Sequence, residues 1–493
     1  MSQGKRMKTE NTATSRKGRK DNKALDTFFK LIAFVYVVIT IIFYIAILKL
    51  DLLPGWVITI FTIAEIVFTL AMVIGLVKRH KTYKLTIISL IIILFVSGIY
   101  IYVTNYALAT ISFLGDVFQE TKETDEYYLI VRKDSSYAKI EDIENKNIHF
   151  FQVADDVKSE LTKKVRVTLV NQENLLDLGN KLIDKNIDVI LTSATQYSML
   201  GDEIKNFKES TKILYTIKHE IQTSTKTAET GSKYSVKSGK FNVYISGIDT
   251  SGSISNVARS DANILMTVNT DTHEALLTSI PRDYYVTLHS YGAKDKLTHS
   301  GIYGINETVK TVEDLLDTDI NYYVRVNFTT VIKLVDKLGG IDVYSDYSFT
   351  TSDKLYTFKK GYNHMNGEEA LRFSRERYSF ASGDNQRVKN QQHVIEAIMK
   401  KVLNSTTLLT KYTSILDSLK GSFQTNIEQD DISKLVKDQI NNMSSWTIKS
   451  NSLTGTGASS STYSMGSTKL YVMVPNSTSV TSAKEKIDEV LGE

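Results

Sequence analysis

Three apolar runs near the start of the chain constrain it more than any other feature. Leu31 to Leu48 carries no charged residue, Trp56 to Val77 carries only Glu65, and Leu85 to Ala109 carries none. As a helix, each is long enough to cross roughly 30 Å of hydrocarbon. Separated by tight loops, they read as three membrane spans rather than as a cleaved signal peptide. Residues 1–30 are then a basic head, residues 31–109 the spans, and the remainder an ectodomain.

Basic residues in short loops give the expected orientation. The head carries nine Lys and Arg, and the second loop carries Lys78, Arg79, Lys81 and Lys84. The first loop, Lys49 to Gly55, carries one. Head and second loop are therefore expected in the cytoplasm, and residues after about 109 outside. The charge balance divides the same way. Residues 1–84 hold 14 basic against 5 acidic residues, or +9, so the remaining 45 and 50 of the chain's 59 and 55 give −5. The short head beside a membrane fits topology and anionic-lipid contact better than nucleic-acid binding. Glu65, in mid-span, reads as a paired or protonated carboxyl that ties the helices together. The chain has no Cys, which excludes disulfides, zinc–thiolate and iron–sulfur sites, and thiol catalysis.

Residues 110–222 read as a small accessory α/β domain. Tyr127 to Val131 and Ile187 to Thr192 are compact runs of strand length, and Asn174 to Ile183 repeats leucine-type residues at helical spacing. Strands alternating with helices suggest a partly parallel sheet. Residues 223–240, rich in Thr, Ser, Lys and Gly, read as a linker, and residues 241–493 as the part that holds the chemistry.

There, Phe241 to Asp249 alternates apolar and polar residues and ends on a carboxylate. A Ser/Gly-rich turn leads to Arg259-Ser-Asp261 and a second strand. Joined as a pair, these strands would place Asp249 and Asp261 at one sheet edge, where two carboxylates and a phosphate can hold magnesium. Arginine usage adds to this. Of nine arginines after residue 84, seven fall between Arg259 and Arg387, although Lys is the commoner base. Arg is needed where a planar fork must grip phosphate, so all seven are expected to serve one highly charged ligand. Arg375 and Arg377 can converge only if the helix beginning near Gly367 has already ended. Arg387 and Gln391, four apart, share a helical face. By pattern alone, Val331 to Leu338 and Val394 to Leu403 are ordinary core helices.

Ile248-Asp249, Arg259-Ser-Asp261, Ser279-Ile-Pro-Arg-Asp283, Lys296-Leu-Thr-His-Ser300, Thr311-Val-Glu-Asp-Leu315, Leu338-Gly-Gly-Ile341 and Arg375-Glu-Arg377, followed by Asp384, Arg387 and Gln391-Gln392, resemble the LytR-CpsA-Psr family in order and spacing. The three spans and accessory domain look like its CpsA branch. The resemblance implies a three-layer αβα sandwich with a mixed central sheet and an apolar pocket for a lipid tail. It implies a phosphotransferase that moves a capsular or related wall glycan from a polyprenyl-pyrophosphate carrier to peptidoglycan. Asp249 and Asp261 would ligate Mg²⁺, with Mn²⁺ as a substitute. Arg259, Arg282, Lys296, Arg375, Arg377, Arg387 and Gln391 would hold the pyrophosphate. Arg282, Arg377 and Asp384 would be catalytic, Asp384 by orienting Arg387 or the acceptor hydroxyl. Lys389 stands where many members have Arg and lacks the fork. The implied partners are the carrier-linked glycan, peptidoglycan, membrane lipids and other capsule-assembly membrane proteins, with nucleic acid set aside. Hydrolysis of the carrier-linked diphosphate, or a regulatory role in capsule transcription, are the alternatives the residues leave open.

Overall fold

A computed structural model describes residues 4–51, 53, 55–78, 84–117, 123–221, 234–248, 254, 256–404, 421–428, 430–432, 434–435, 438 and 446–493. The chain divides into two compact units, one ending its first segment at Leu114 and one beginning at Gly115.

The first unit contains helices α1 (Gly4–Leu50), α2 (Gly55–Val77) and α3 (Lys84–Val117). Their stretches Ala24–Leu50, Gly55–Val77 and Lys84–Ser112 are long and apolar enough to cross a membrane. Glu65 of α2 is buried. Its carboxyl accepts hydrogen bonds from the Tyr100 hydroxyl of α3 at 2.6 Å and the Thr69 hydroxyl at 3.0 Å. A polar group without water must find a protein partner, and this one does so across α2 and α3.

The second unit opens with the accessory module: strands β1 (Glu123–Arg132), β2 (Asn147–Phe150), β3 (Thr168–Asn171), β4 (Val189–Ser193) and β5 (Thr211–Ile221), with helices α4 (Asp155–Lys164), α5 (Leu175–Ile183) and α6 (Ala194–Glu203). The sheet order is β3-β2-β4-β1-β5. β2 is parallel to β3 and β4, while β1 is antiparallel to β4 and β5. Val189 to Ser193 is buried at every position, which explains a continuous apolar run where an alternating one would mark a half-exposed strand.

The larger sheet joins β6 (Lys240–Ile248), β7 (Ser260–Asn269), β8 (Glu274–Ile280), β9 (Tyr322–Asn327), β10 (Phe423–Thr425) and β11 (Thr447–Ser452) in the order β10-β9-β6-β7-β8-β11. β6, β7 and β8 are successive antiparallel neighbours, and the parallel pairs β9–β6 and β11–β8 make the sheet mixed. Neighbouring residues on a strand point to opposite faces. Tyr244 and Leu265 accordingly join one core with α7 (Ile305–Leu316) and α11 (Ser477–Leu491). Ile245 and Ile264 face a cavity on the other side. Helices α8 (Phe328–Leu338), α9 (Gly367–Arg375) and α10 (Asp384–Asn404) form a second helical core next to that cavity. The result is the αβα sandwich. Asn327 caps α8 by accepting from the Thr330 amide, and Gly339 (φ 78°) ends it in the left-handed conformation that glycine tolerates.

The segment read as a linker is packed at its end. Tyr234 and Val236 are buried, and Val236 donates its amide to the Tyr322 hydroxyl at 3.2 Å. Residues 222–233 lie outside the described residues. The accessory module also shares a core with the chain's last quarter: Met465 and Leu470, on or beside β12 (Gly466–Pro475), pack with Leu178, Leu182 and Phe207.

Candidate active site

A cavity of about 850 Å³ opens between the sheet and α8, α9 and α10. Two sets of side chains line it. One set is charged or polar and comprises Arg259, Asp261, Arg282, Lys296, Arg375, Arg377, Arg387 and Gln391. The other is apolar and comprises Phe328, Val331, Leu334, Ile395 and Ile398. The reading of the α8 and α10 segments as plain core is therefore corrected. Val335, Leu338 and Ala397 pack in the core, while Val331, Leu334, Ile395 and Ile398 line the cavity. Both faces of these helices are apolar for different reasons, which a one-dimensional pattern cannot separate.

The backbone explains how the charged residues meet. Ile248 and Ser260 pair at one end of the β6–β7 ladder, which puts Asp261 at that edge. Asp249, the expected second metal ligand, lies outside the described residues. Helix α9 stops at Arg375, and Glu376 takes an extended conformation (φ −66°, ψ 131°), so Arg375 and Arg377 both reach the cavity. The Arg375 guanidinium lies 4.1 Å from the Phe328 ring centroid, and that of Arg377 lies 4.5 Å from the Tyr378 ring. Arg387 and Gln391 line the cavity from one face of α10, whereas Lys389 is exposed and does not line it.

Arg282 is the hub. Its Nη1 donates to Asp261 Oδ2 at 3.1 Å, and its Nε lies 3.8 Å from Asp283 and 4.0 Å from Asp384. The other Asp261 oxygen accepts from the Thr298 hydroxyl at 2.8 Å. Lys296 pairs with Asp283 at 3.0 Å. Arg387 is buried and pairs with Asp384 at 2.7 Å. Asp384 does not line the cavity; it stands behind Arg387 and Arg282 as a positioning residue.

Burial alone would raise the Asp261 pKa, but the guanidinium groups of Arg282, Arg259 and Arg387, with the Thr298 hydroxyl, hold it down at about 2. Burial and the neighbouring Arg282 lower the Arg387 pKa, against the opposing pull of Asp384, Asp261 and Asp283. The Nε atoms of Arg282 and Arg387 are buried without a hydrogen-bond acceptor. An unsatisfied buried donor costs about 1–3 kcal/mol. The Arg282 Nε faces Asp283 and Asp384 at 3.8 and 4.0 Å, too far for a hydrogen bond, and Asp384 Oδ1 likewise lacks one.

Arg325 is the exception among the seven arginines. It is fully buried, donates to the Asn256 carbonyl at 2.9 Å, and does not line the cavity. Its sequence position says nothing of this, because a sheet residue pointing the other way has the same spacing. Asp283, Thr298, Tyr378, Tyr471 and Asp202 also line the cavity without having been singled out. Asp283 and Thr298 stood inside the quoted motifs. Asp202 could not have been found, being on α6 of the accessory module.

Asp202 pairs with Arg259 at 2.7 Å, and the Thr195 hydroxyl of α6 donates to the Val257 carbonyl at 3.1 Å. The accessory module thus grips the segment that carries Arg259. Asp202 is half exposed, and such pairs are worth about 0–1 kcal/mol. Asp202→Asn should therefore release Arg259 and lower the KM for an anionic donor by up to about fivefold, measured by initial rates. A raised KM would show that the pair is needed to aim Arg259.

The metal donors fit a hard cation by chemistry. Asp261 is ionised and lines the cavity beside a hydroxyl, and there is no thiolate to favour a softer ion. Among the described residues no group of three His, Cys, Asp or Glu is placed to hold a metal, so the rest of the shell would have to come from Asp249, water and substrate oxygens.

Residues 204–486 match the LytR_cpsA_psr family. A protein of Bacillus cereus strain ATCC 14579, "Polyisoprenyl-teichoic acid–peptidoglycan teichoic acid transferase TagU", is 36% identical over 206 residues, which are 42% of this chain and 66% of that protein. A protein of the same name from Enterococcus faecalis strain V583 is 36% identical over 220 residues, 44% of this chain and 71% of that one. The chain spans about two thirds of the length of these relatives. A solved structure described as "TagT bound to LIIa-WTA" aligns with a TM-score of 0.44 and 27% identity, covering 54% of this chain and 97% of that one. The matched family model covers more than half of the chain, and the chain belongs to the LytR-CpsA-Psr family.

Proposed function

We propose that the protein is a membrane-anchored phosphotransferase that moves a glycan polymer from a polyprenyl-diphosphate carrier onto peptidoglycan. The observation that carries this reading is the mixed lining of the cavity. Guanidinium groups share one cavity with apolar side chains, and a lipid-linked diphosphate has both halves of that chemistry. The relatives named as polyisoprenyl–teichoic acid transferases support the donor class and the acceptor. The polymer is a capsular polysaccharide on the resemblance of the layout to the CpsA branch, or a teichoic acid on the names of the relatives. The basic head and second loop support a cytoplasmic N-terminus and an external second unit.

The acceptor is a sugar hydroxyl of peptidoglycan. Its oxygen attacks the sugar-proximal phosphorus, the bond from that phosphorus to the bridging oxygen breaks, and polyprenyl phosphate leaves. A phosphodiester remains, and the hydroxyl proton is balanced by the charge that the departing monophosphate gains. Such a transfer needs alignment and neutralisation of spreading negative charge more than covalent help. Arg282 and Arg387, fixed by Asp261 and Asp384, bring two positive charges to the diphosphate. Arg375 and Arg377, stacked on Phe328 and Tyr378, close the cage from the other side. A magnesium ion held by Asp261 and Asp249 would add further charge neutralisation. Val331, Leu334, Ile395 and Ile398 would exclude water from the tail.

The direct test is a mass spectrum of the intact protein purified from its native membrane. A polyprenyl phosphate or diphosphate species should accompany it, and Leu334→Trp, which crowds the apolar lining, should strip that species while leaving the melting temperature within a few degrees. An unchanged lipid content in Leu334→Trp would refute the tail assignment. Incubation with and without peptidoglycan separates transfer from hydrolysis: product that forms equally fast in both means that water is the acceptor.

A further inference from the structure

A second surface beside the cavity has a character that the transfer reaction does not require. Residues Ile341 to Met365 form one long two-tiered arm. Strand Ile341–Ser345 pairs antiparallel with Gly361–Met365, and beyond them Phe349–Thr350 pairs with Thr357–Phe358. The inner side of the arm is core: Ile341, Val343, Phe349, Phe358 and Met365 pack with α8, α9 and α10. The outer side of such a ladder should be polar, and two of its pairs are, Asp342 with His364 and Thr350 with Thr357. The third is aromatic. Tyr344 and Tyr362 stand directly opposite each other with ring centroids 5.4 Å apart, and they are 40% and 72% exposed. Tyr347 is 54% exposed, and Leu355, near the tip, is 66% exposed. Of the nine large apolar side chains exposed among the described residues of the second unit, these four fall within 25 residues.

The arm carries three Asp and three Lys, but the two signs are differently placed. Lys354, Lys359 and Lys360 are exposed, and among the described residues no carboxylate pairs with them. The acids have partners: Asp353 with Arg372 at 3.1 Å, Asp342 with His364 at 2.8 Å and Asp346 with the Gln386 amide at 2.9 Å. The arm is also coupled to the site. Thr351, Ser352 and Asp353 line the cavity. The Ser352 amide and hydroxyl both donate to the Glu376 carboxylate, at 2.7 and 3.0 Å, between Arg375 and Arg377.

We propose that this arm docks on an anionic lipid surface and seats the rim of the cavity there, so that a lipid-linked donor passes between bilayer and cavity without crossing water. This rests on the membrane anchorage proposed above. Tyrosine with lysine is the composition of a membrane–water interface, where amphipathic rings sit at headgroup level and lysines reach phosphates. Each basic residue near an anionic leaflet can shift the docked population by roughly fivefold. A second copy of the chain is disfavoured, because Lys is depleted at protein–protein cores. A glycan strand is disfavoured by the aliphatic Leu355 near the tip, which offers no stacking face.

The absence of cysteine makes the test clean. In the full chain, Leu355→Cys, Val67→Cys and Lys163→Cys each give a single site for an environment-sensitive fluorophore. The chains are reconstituted in vesicles of phosphatidylcholine and phosphatidylglycerol, with and without bromine on the acyl chains. Bromine should quench the probe at Leu355 and at Val67, but not at Lys163 on the accessory module. Quenching at Leu355 should fall when phosphatidylglycerol is omitted. Quenching at Val67 with none at Leu355 overturns the docking while the anchor stands. Failure at Val67 sinks the anchor first. A Leu355 probe that responds only to protein density, or only to added peptidoglycan fragments, would assign the arm to a second copy or to the glycan and refute the lipid seat.

Discussion

Arg282→Ala is expected to lower the rate of polymer attachment by on the order of 10³-fold or more, the range seen when an arginine that meets transition-state charge is removed. The size follows from position. Arg282 holds Asp261 at 3.1 Å and lies within 4.0 Å of Asp283 and Asp384. Its loss removes one positive charge and also leaves Asp261 without its ion-pair partner beside the diphosphate. Arg282→Lys restores charge but not the planar fork, so it should recover stability far better than rate. Attachment to peptidoglycan by the purified protein is the measurement. Activity within tenfold of the parent for Arg282→Ala would remove Arg282 from the reaction.

Asp261→Asn should cost both activity and stability, and the two losses separate by pH. Buried beside three arginines, Asp261 has its pKa depressed from an ordinary 3.8 to about 2. A depressed carboxylate contributes stability above its unfolded pKa, and that contribution disappears as pH falls through the folded one. At neutral pH the substitution should therefore cost on the order of 2 kcal/mol, or about 5 °C in melting temperature. The gap between parent and variant should close between about pH 4 and pH 2. Transfer should fall by at least roughly 10²-fold, with no acid limb near neutral pH traceable to this group in the parent. Full attachment by Asp261→Asn would end its assignment as a metal ligand. Loss of attachment with unchanged melting would place its role in the reaction alone.

Much of the architecture is legible along the chain because its signals are local. Three apolar runs state their own length requirement. Asn327 and Gly339 mark the ends of a helix by the backbone groups they satisfy or permit. The concentration of Arg over Lys between residues 259 and 387 marks an anion site, since only Arg offers a fork. Six of those seven arginines line one cavity. The seventh, Arg325, shows the limit: density along the chain cannot say which way a strand residue points.

The accessory module illustrates a different limit. Its strands and helices could be read, but its part in the site could not. Asp202 reaches Arg259 across 57 residues, and Met465 and Leu470 complete its core from the far end of the chain. Contacts at such separations leave no periodic trace.

By itself, then, the sequence determined the three helices long and apolar enough to cross a membrane, the α/β class, the family and the list of charged residues, because each depends on residue type and near neighbours. Only the tertiary structure decided that the apolar faces of α8 and α10 divide between core and cavity. Only it showed that Arg282 and Arg387 meet Asp261, Asp283 and Asp384 in one cluster, and that an arm with an exposed tyrosine pair borders the same cavity. Burial, orientation and the pairing of charges are properties of the space between elements, and that space exists only once the sheet has brought them together.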